Sequence, residues 1–81
     1  MKATVLVRPK DGILDPQGEA VGGSLRKLEF PVTQARVGRI VDLELETSDP
    51  ATARAQVERM CADLLANPLI ESVEIHLGDD G

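Results

Sequence analysis

The amino-acid sequence predicts an α+β fold whose elements follow the order β-α-β-β-α-β. Three segments, 2–8, 41–46 and 73–77, alternate apolar and polar residues with the period of a half-buried strand. Asp15 and Asp49 are each followed by proline, which is typical of the first turn of a helix. These observations indicate strands interleaved with two helices.

The N-terminal half begins with a strand over residues 2–8, which Pro9 ends. Residues 10–14 form a loop, because Asp-Gly is a turn signal and no apolar period follows it. The first helix begins at Asp15, whose carboxylate can accept unpaired amide hydrogens of the first turn. Glycines within this helix cost up to about 1 kcal/mol each relative to alanine, so its stability depends on packing.

Residues 32–47 predict two strands separated by a break near Gly38 and Arg39. The second strand, 41–46, places aliphatic residues on one face and acidic residues on the other. One face of the sheet is therefore buried, and the other is exposed and acidic.

The second helix begins at Asp49 and has the clearest helical period in the chain. Its apolar positions are Ala53, Val57, Met60, Cys61, Leu64 and Leu65. It ends at Asn67, because the residue before a proline is driven out of the helical conformation. The last strand covers 69–77, and a polar tail follows at 78–81. This order is ferredoxin-like, one antiparallel sheet with two helices on one face, in a single domain over residues 1–81.

The chain is short for a self-sufficient core. Its 81 residues bury only about 60% of the surface that the unfolded chain exposes. There is no Trp, no Tyr and one Phe, so the core is built from aliphatic side chains. Because such a domain often gains stability by association, we expect its sheets to associate in a homodimer or a tetramer.

The charge balance and hydropathy exclude two classes of partner. Lys and Arg number 9 against 14 Asp and Glu, and the net charge of -5 opposes nucleic-acid binding. No apolar run approaches the ~20 residues of a membrane span, and the N-terminus lacks the pattern of a signal peptide. We expect a cytoplasmic protein without nucleic-acid or membrane contacts.

The side chains that carry chemistry in other proteins are poorly placed here. Cys61 lies in the apolar stripe of the second helix, which favours a buried core thiol. His76 alternates with apolar residues and is expected to face solvent. Asp42, Glu44 and Glu46 are ~7 Å apart along one strand face, which is typical of a solvated surface. Without a phosphate-binding glycine pattern either, we predict no catalytic, cofactor-binding or metal-binding residue in this chain.

The loop over residues 10–18 combines a cation, a capped helix start and the apolar pair Ile13 and Leu14. No helical or strand period assigns this pair to the core. The two side chains either fold under the loop onto their own core or contact a partner chain, and the sequence leaves both alternatives open.

Three motifs occur in the same order as in a known family. Residues 10–18 read Lys-Asp-Gly-Ile-Leu-Asp-Pro-Gln-Gly, and Gly38 with Arg39 is similar to a glycine-lysine pair at a strand junction. Residues 64–71 read Leu-Leu-Ala-Asn-Pro-Leu-Ile-Glu. Over about residues 2–77 the chain thereby resembles the PurS family, the small subunit of phosphoribosylformylglycinamidine synthase (formylglycinamide ribonucleotide amidotransferase).

The resemblance implies a non-catalytic accessory subunit of a glutamine-hydrolysing, ATP-dependent ligase of de novo purine (IMP) biosynthesis. Its partners would be itself, a PurL-type synthetase that uses ATP and Mg²⁺, and a PurQ-type glutaminase that supplies ammonia. It would bridge the two and support ammonia transfer, and bind no cofactor of its own. The residues expected at partner interfaces are Lys10, Ile13, Leu14, Asp15, Pro16, Gln17, Arg39, Asn67 and Pro68.

Two segments depart from the family pattern. Glu29 stands where a glycine usually provides a left-handed helix end, so the first helix is expected to end differently here. Residues 72–77 replace an aromatic-and-acid closing segment, which changes the edge of the last strand.

Two other functions compete with this hypothesis. Many domains of this fold are stand-alone regulatory modules that bind a small ligand at a dimer interface, and the fold alone does not exclude that. A free-standing enzyme is the weakest alternative, because the chain lacks a nucleophile-base pair.

Overall fold

The computed structural model describes residues 1–78, so the predicted polar tail lies outside the described residues except for Gly78. The strands are β1 (Lys2–Pro9), β2 (Arg39–Glu44) and β3 (Glu71–Leu77). The helices are α1 (Pro16–Lys27) and α2 (Pro50–Met60), and α2 continues into a π-helical turn over Cys61–Leu65. An α+β fold with an antiparallel sheet and two helices is confirmed.

The strand order in the sheet is β2-β1-β3, and both pairings are antiparallel. In the centre, Val5 lies opposite Val41 on one side and Ile75 on the other. Alternation then divides the sheet into an inner face, which carries Val5 and its apolar partners, and an outer face, which carries Thr4 and Asp42.

Helix α2 covers the inner face of the sheet and closes the core. The buried side chains that meet there are Ala3, Val5, Val7, Val57 and Cys61. Around them lie half-buried aliphatic residues of all three strands, among them Val41, Leu43 and Ile75. The predicted burial of Cys61 is confirmed, since the residue is 6% exposed.

Both predicted helix starts are confirmed. Asp15 accepts a hydrogen bond from the Gly18 backbone N–H at 3.0 Å, and Asp49 accepts one from the Thr52 N–H at 3.1 Å. A proline occupies the first turn of each helix, where no donor is lost.

Helix α1 ends in a left-handed turn although position 29 is glutamate and not the glycine that usually forms such a turn. Glu29 itself takes the left-handed conformation, with φ of 71°. Its N–H bonds to the Arg26 carbonyl at 2.9 Å, and the Phe30 N–H bonds to the Leu25 carbonyl at 3.0 Å. This pair of bonds is the Schellman motif, so the expectation of a different helix end is wrong.

The predicted strand ahead of Gly38 does not form among the described residues, so the sheet has three strands. A hairpin with β2 would need at least two turn residues, but only Gly38 separates Val37 from the first residue of β2. The segment instead stays outside the sheet, and its Val37 N–H is bonded to the Asp15 carboxylate at 3.0 Å.

Residues 12–37, here called the arm, comprise α1 and this extended segment. Within residues 1–78 the core contains side chains of the sheet and α2 but none of the arm, so only α2 covers the sheet. The buried residues of α1 are Gly18 and Gly22, and Gly22 faces Ala35 of the arm itself. The radius of gyration is 15.7 Å, against about 12 Å for a compact domain of this length. The chain measures 48 × 27 × 14 Å and is elongated.

Candidate assembly surface

The three motif segments meet at one end of the sheet, where β1 ends and β3 begins. The Lys10 N–H donates to the Ile70 carbonyl at 2.9 Å, and the Lys10 ammonium donates to the Pro68 carbonyl at 2.7 Å. Two segments almost sixty positions apart in the sequence are thereby in direct contact.

A shallow depression of about 230 Å³ lies at this end of the sheet. The predicted interface residues that line it are Ile13, Leu14, Asp15, Pro16, Gln17 and Arg39. We call the surface formed by these residues together with Lys10, Asn67 and Pro68 the motif surface.

Ile13 and Leu14 are accessible parts of the motif surface. Ile13 is 36% exposed and Leu14 is 73% exposed. Ile70, a further apolar residue of the same depression, is 41% exposed. Exposed aliphatic residues that cluster in this way are typical of a contact surface.

Asp15 joins the motif surface to the arm. One carboxylate oxygen caps α1 through the Gly18 N–H, and the other accepts the Val37 N–H at 3.0 Å. These two backbone hydrogen bonds, that of Val37 first, lower the pKa of Asp15 below its ordinary value, and the nearby Arg36 charge adds to them. Asp15 therefore fixes both ends of the arm with one ionised group.

Arg36 makes a second set of contacts at the base of the arm, and no sequence pattern predicts it. Its guanidinium donates to the carbonyls of Pro9 and Lys10 and forms an ion pair with Asp11. An isolated arginine in an irregular segment carries no periodic or motif signal, so this contact emerges only from the fold.

Arg39 links the start of β2 to the start of β3, across the end of β1 that lies between them. Its guanidinium donates to both carboxylate oxygens of Glu71, at 2.7 and 3.1 Å, and to the Leu65 carbonyl. This paired contact lowers the pKa of Glu71, and a hydrogen bond from the Asn67 N–H adds to the effect. The Arg39 side chain remains half exposed, so it ties the fold together and also borders the motif surface.

Asn67 and Pro68 shape the turn that precedes β3. The Asn67 side-chain oxygen accepts a hydrogen bond from the Leu69 N–H at 3.0 Å. The Asn67 backbone carbonyl accepts the N–H groups of Ile70 and Glu71. This turn leaves Leu69 82% exposed beside the motif surface. The last strand consequently starts at Glu71, two residues later than predicted.

Cys61 and His76 do not form a reactive pair. Cys61 packs in the core on the inner side of the sheet, and burial raises the pKa of its thiol, with the Glu58 charge adding to the effect. His76 lies on the outer face, half exposed, next to Glu74 at 2.5 Å. A thiol kept protonated and separated from the imidazole by the sheet is a poor nucleophile.

The acidic strand face is exposed, as expected, and Asp42 accepts a hydrogen bond from the Thr4 hydroxyl at 3.1 Å. Residues 1–78 contain no group of three His, Cys, Asp or Glu side chains arranged to hold a metal ion. Over the same range, none of the helices has the length and apolar character needed to cross a membrane.

Comparison with known proteins gives one consistent family. Residues 2–79 match the family model PurS, described as phosphoribosylformylglycinamidine (FGAM) synthase. A relative from Synechocystis sp. is 45% identical over 69 residues, which span 84% of this chain and 67% of that protein. It is named phosphoribosylformylglycinamidine synthase subunit PurS.

Solved structures of the same family share the fold. A Bacillus subtilis PurS structure superposes with a TM-score of 0.85 at 35% identity, covering 96% of this chain and 98% of that one. A chain in a structure of PurLQS from Thermotoga maritima gives a TM-score of 0.83 at 32% identity, with 93% of each chain covered.

Proposed function

The chain belongs to the PurS family of phosphoribosylformylglycinamidine synthase subunits, and from this membership we propose that it bridges the synthetase and glutaminase of that ligase. It is an accessory subunit of a purine-biosynthesis enzyme. In the proposed role it docks the two larger subunits and supports the passage of ammonia from one to the other. Bond making and breaking belong to those partners.

The observation that carries the proposal is the similarity to a chain of the Thermotoga maritima PurLQS structure. The similarity extends over 93% of this chain, so both the sheet and the arm have counterparts there. The named relatives, such as that from Synechocystis sp., support the same assignment.

The side chains of this protein support a docking role. The motif surface exposes aliphatic residues, of which Leu14 is 73% accessible, at one end of the sheet. Rigid apolar anchors surrounded by polar groups are the usual composition of a protein interface. Cys61 and His76, the side chains best suited to nucleophilic catalysis, lie on opposite sides of the sheet.

We also propose where the subunit acts, what it leaves to its partners and how it associates with itself. ATP and Mg²⁺ act in the synthetase, and this chain binds neither. The assembly works in the cytoplasm. The chain associates with itself as a dimer or a tetramer, which its thin core and elongated shape favour.

Reconstitution with a PurL-type synthetase and a PurQ-type glutaminase tests the function. Glutamine-dependent synthesis of formylglycinamidine ribonucleotide should require this chain, whereas ammonia-dependent synthesis by the synthetase alone should not. The three chains should also co-purify in the presence of nucleotide and glutamine. Full glutamine-dependent activity without this chain would contradict the proposal, as would tight binding of an amino acid or nucleotide to the isolated chain.

A further inference from the structure

We propose that β3 binds an extended segment of one of the two larger subunits, which adds as a strand to the free edge of β3. The segment alternates aliphatic and basic residues, and its aliphatic side chains fill a groove between β3 and α2. The inference deepens the proposed function and rests on it, because the segment belongs to a partner that the chain is proposed to dock.

The first observation is that the edge of β3 opposite β1 has unpaired backbone groups. The Gly78 N–H donates to the Lys2 carbonyl at 2.8 Å. Because bonded positions alternate along an antiparallel pair, the even-numbered residues of β3 face β1, and the N–H and C=O groups of Val73 and Ile75 point away from it. Among residues 1–78 the sheet ends at β3, so no further strand pairs with these groups. An edge of this kind is a template for another strand.

The second observation is a groove of about 260 Å³ beside this edge, between β3 and the end of α2. Val73 and Ile75 form one wall, and Cys61, Ala62 and Ala66 form the other. The two alanines carry only a methyl group, so the helix leaves Val73 41% exposed although this residue lies on the inner face of the sheet. An open apolar groove next to a free strand edge is suited to an extended segment with aliphatic side chains.

The third observation is that the groove continues into the motif surface. Pro68 belongs to the motif surface and also lines the groove, and Glu71 lines both the groove and the depression of the motif surface. A subunit that docks on the motif surface therefore reaches the start of β3. This continuity favours a segment of such a subunit as the occupant of the edge.

The charges around the groove favour a basic segment. The charged residues that line it, Glu58 and Glu71, are both acidic. Glu71 is paired with Arg39, but Glu58 forms no ion pair within residues 1–78. Burial raises the pKa of the Cys61 thiol and the Glu58 charge adds to this effect, so that charge acts on the interior of the groove. A cation on the bound segment would compensate it.

The two faces of β3 set the residue pattern of the added strand. Side chains on the inner face would lie beside Val73 and Ile75 and enter the groove, so aliphatic residues fit there. Side chains on the outer face would lie beside Glu74, which is half exposed, so basic residues fit there. Because neighbouring residues of a strand point to opposite faces, the matching segment alternates the two types.

Amide exchange at single residues tests the strand addition in the enzyme reconstituted with a PurL-type synthetase and a PurQ-type glutaminase. In the isolated chain the amides of Val73 and Ile75 should exchange fast, and that of Glu74, which faces β1, should exchange slowly. In the complex the amides of Val73 and Ile75 should slow by at least about 10-fold. A helix or an irregular loop docked on the groove would not protect alternate residues in this way.

Four variants test the edge and the groove separately. Val73→Pro removes an N–H that faces the free edge, and Val73→Thr is its control because it keeps the N–H and the branched shape. Ala62→Leu fills the groove, and Ala55→Leu adds the same side chain at an exposed position of α2 outside the groove. The concentration of chain that gives half-maximal glutamine-dependent synthesis should rise at least about tenfold for Val73→Pro and Ala62→Leu, and stay within about threefold for the controls. Slow exchange of the Glu74 amide shows that the sheet of each variant is folded.

Glu58→Lys tests the charge of the segment. It should raise the same concentration more strongly at low salt than at high salt, because screening weakens a contact between charges. Assembly that is unchanged or tighter in this variant would contradict a basic segment.

Two results would overturn the strand addition. One is equally fast exchange of the Val73 and Ile75 amides in the complex and in the isolated chain. The other is slow exchange of both amides already in the isolated chain, since a second copy would then occupy the edge. A continued requirement for the chain in glutamine-dependent synthesis would leave the proposed function intact in both cases. Full synthesis without the chain would instead contradict the proposed function, while protection of the two amides would still report the added strand.

Discussion

Glu29 shows how one residue can take the place of a glycine at a measurable cost. Its φ of 71° lies in the left-handed region, which costs a residue with a Cβ atom about 1 to 2 kcal/mol. The Schellman hydrogen bonds from Glu29 and Phe30 hold this conformation. The motif therefore stabilises the end of α1 despite the unfavourable residue at its turning point.

Glu29→Gly should raise the free energy of unfolding by about 0.5 to 1 kcal/mol, because glycine relieves the strain but gains entropy in the unfolded chain. The Tm in thermal unfolding, at fixed protein concentration, should rise by a few degrees. Glu29→Ala keeps the Cβ atom and should give no such gain. An equal rise for alanine and glycine would mean that the glutamate side chain, not the backbone, is unfavourable.

The ionised carboxylate of Asp15 gives stability a specific dependence on pH. Its pKa is lowered in the folded chain by the Val37 and Gly18 N–H groups. The stabilisation is therefore complete above the unfolded pKa of about 3.9 and is lost as pH falls through the lower folded value. Asp49, Glu71 and Glu74 also have lowered pKa values, so the unmodified chain should lose stability from several groups below about pH 4.

Asp15→Asn isolates the contribution of this one carboxylate. Asparagine still caps the helix but carries no charge, so the variant should be less stable than the unmodified chain at pH 7 and should approach it at pH 3. Urea unfolding over this pH range gives the difference curve. A difference that stays constant from pH 7 to pH 3 would contradict the assignment.

At the scale of elements, the stability of α1 depends on its contacts with the extended segment of the same arm. Its buried glycines lie against the extended segment, and Arg26 donates to the Val32 carbonyl at 3.2 Å. A methyl group at Gly18 would collide with the Asp15 carboxylate and lie 2.5 Å from the Ala35 carbonyl oxygen. At Gly23, in contrast, a Cβ would have no atom within 4 Å apart from its chain neighbours and the adjacent backbone of its own helix.

These two glycines make a matched pair for one substitution. Gly18→Ala should destabilise the chain by about 1 to 3 kcal/mol, because backbone atoms must shift to admit the methyl group. Gly23→Ala should stabilise it by about 0.5 to 1 kcal/mol through helix propensity. Thermal unfolding followed by circular dichroism compares them directly. The two substitutions should change stability in opposite directions, because only Gly18 lacks room for a methyl group, so two changes of the same sign would refute the prediction.

Local chemistry made most of the elements predictable. The sequence correctly predicts both aspartate-proline helix starts and the alternating strand segments around Val5, Val41 and Ile75. Capping and alternation are predictable because they depend on only a few neighbouring residues. The strand expected ahead of Gly38 was wrong because pairing depends on whether the chain can turn. That requirement concerns the connection and not the pattern of the segment.

The residues of the candidate site were also partly predictable from the sequence. The motif segments were identified separately, and the contact of Lys10 with Pro68 and Ile70 joins them. The tie made by Arg36 could not be foreseen, because its carbonyl partners become neighbours only after β1 and the arm are in place. The partners that the motif surface meets stay a prediction.

At the scale of the whole molecule, the elongated chain exposes the motif surface at the base of the arm, where the proposed partner subunits can reach it. Ile13 and Leu14 are the discriminating residues there. Both side chains are exposed and lie outside the core formed by residues 1–78. Their replacement should therefore affect assembly more than folding.

The double change Ile13→Ser and Leu14→Ser should weaken formation of the complex and lower glutamine-dependent synthesis at least about tenfold, as expected when apolar anchors are lost. The Tm of the isolated chain should stay within a few degrees, and ammonia-dependent synthesis by the synthetase should not change. Leu64→Ser removes an equally accessible leucine, 85% exposed, outside the motif surface and should leave the complex intact. A steep fall in Tm, with normal assembly of the fraction that folds, would show that the loop supports its own domain instead.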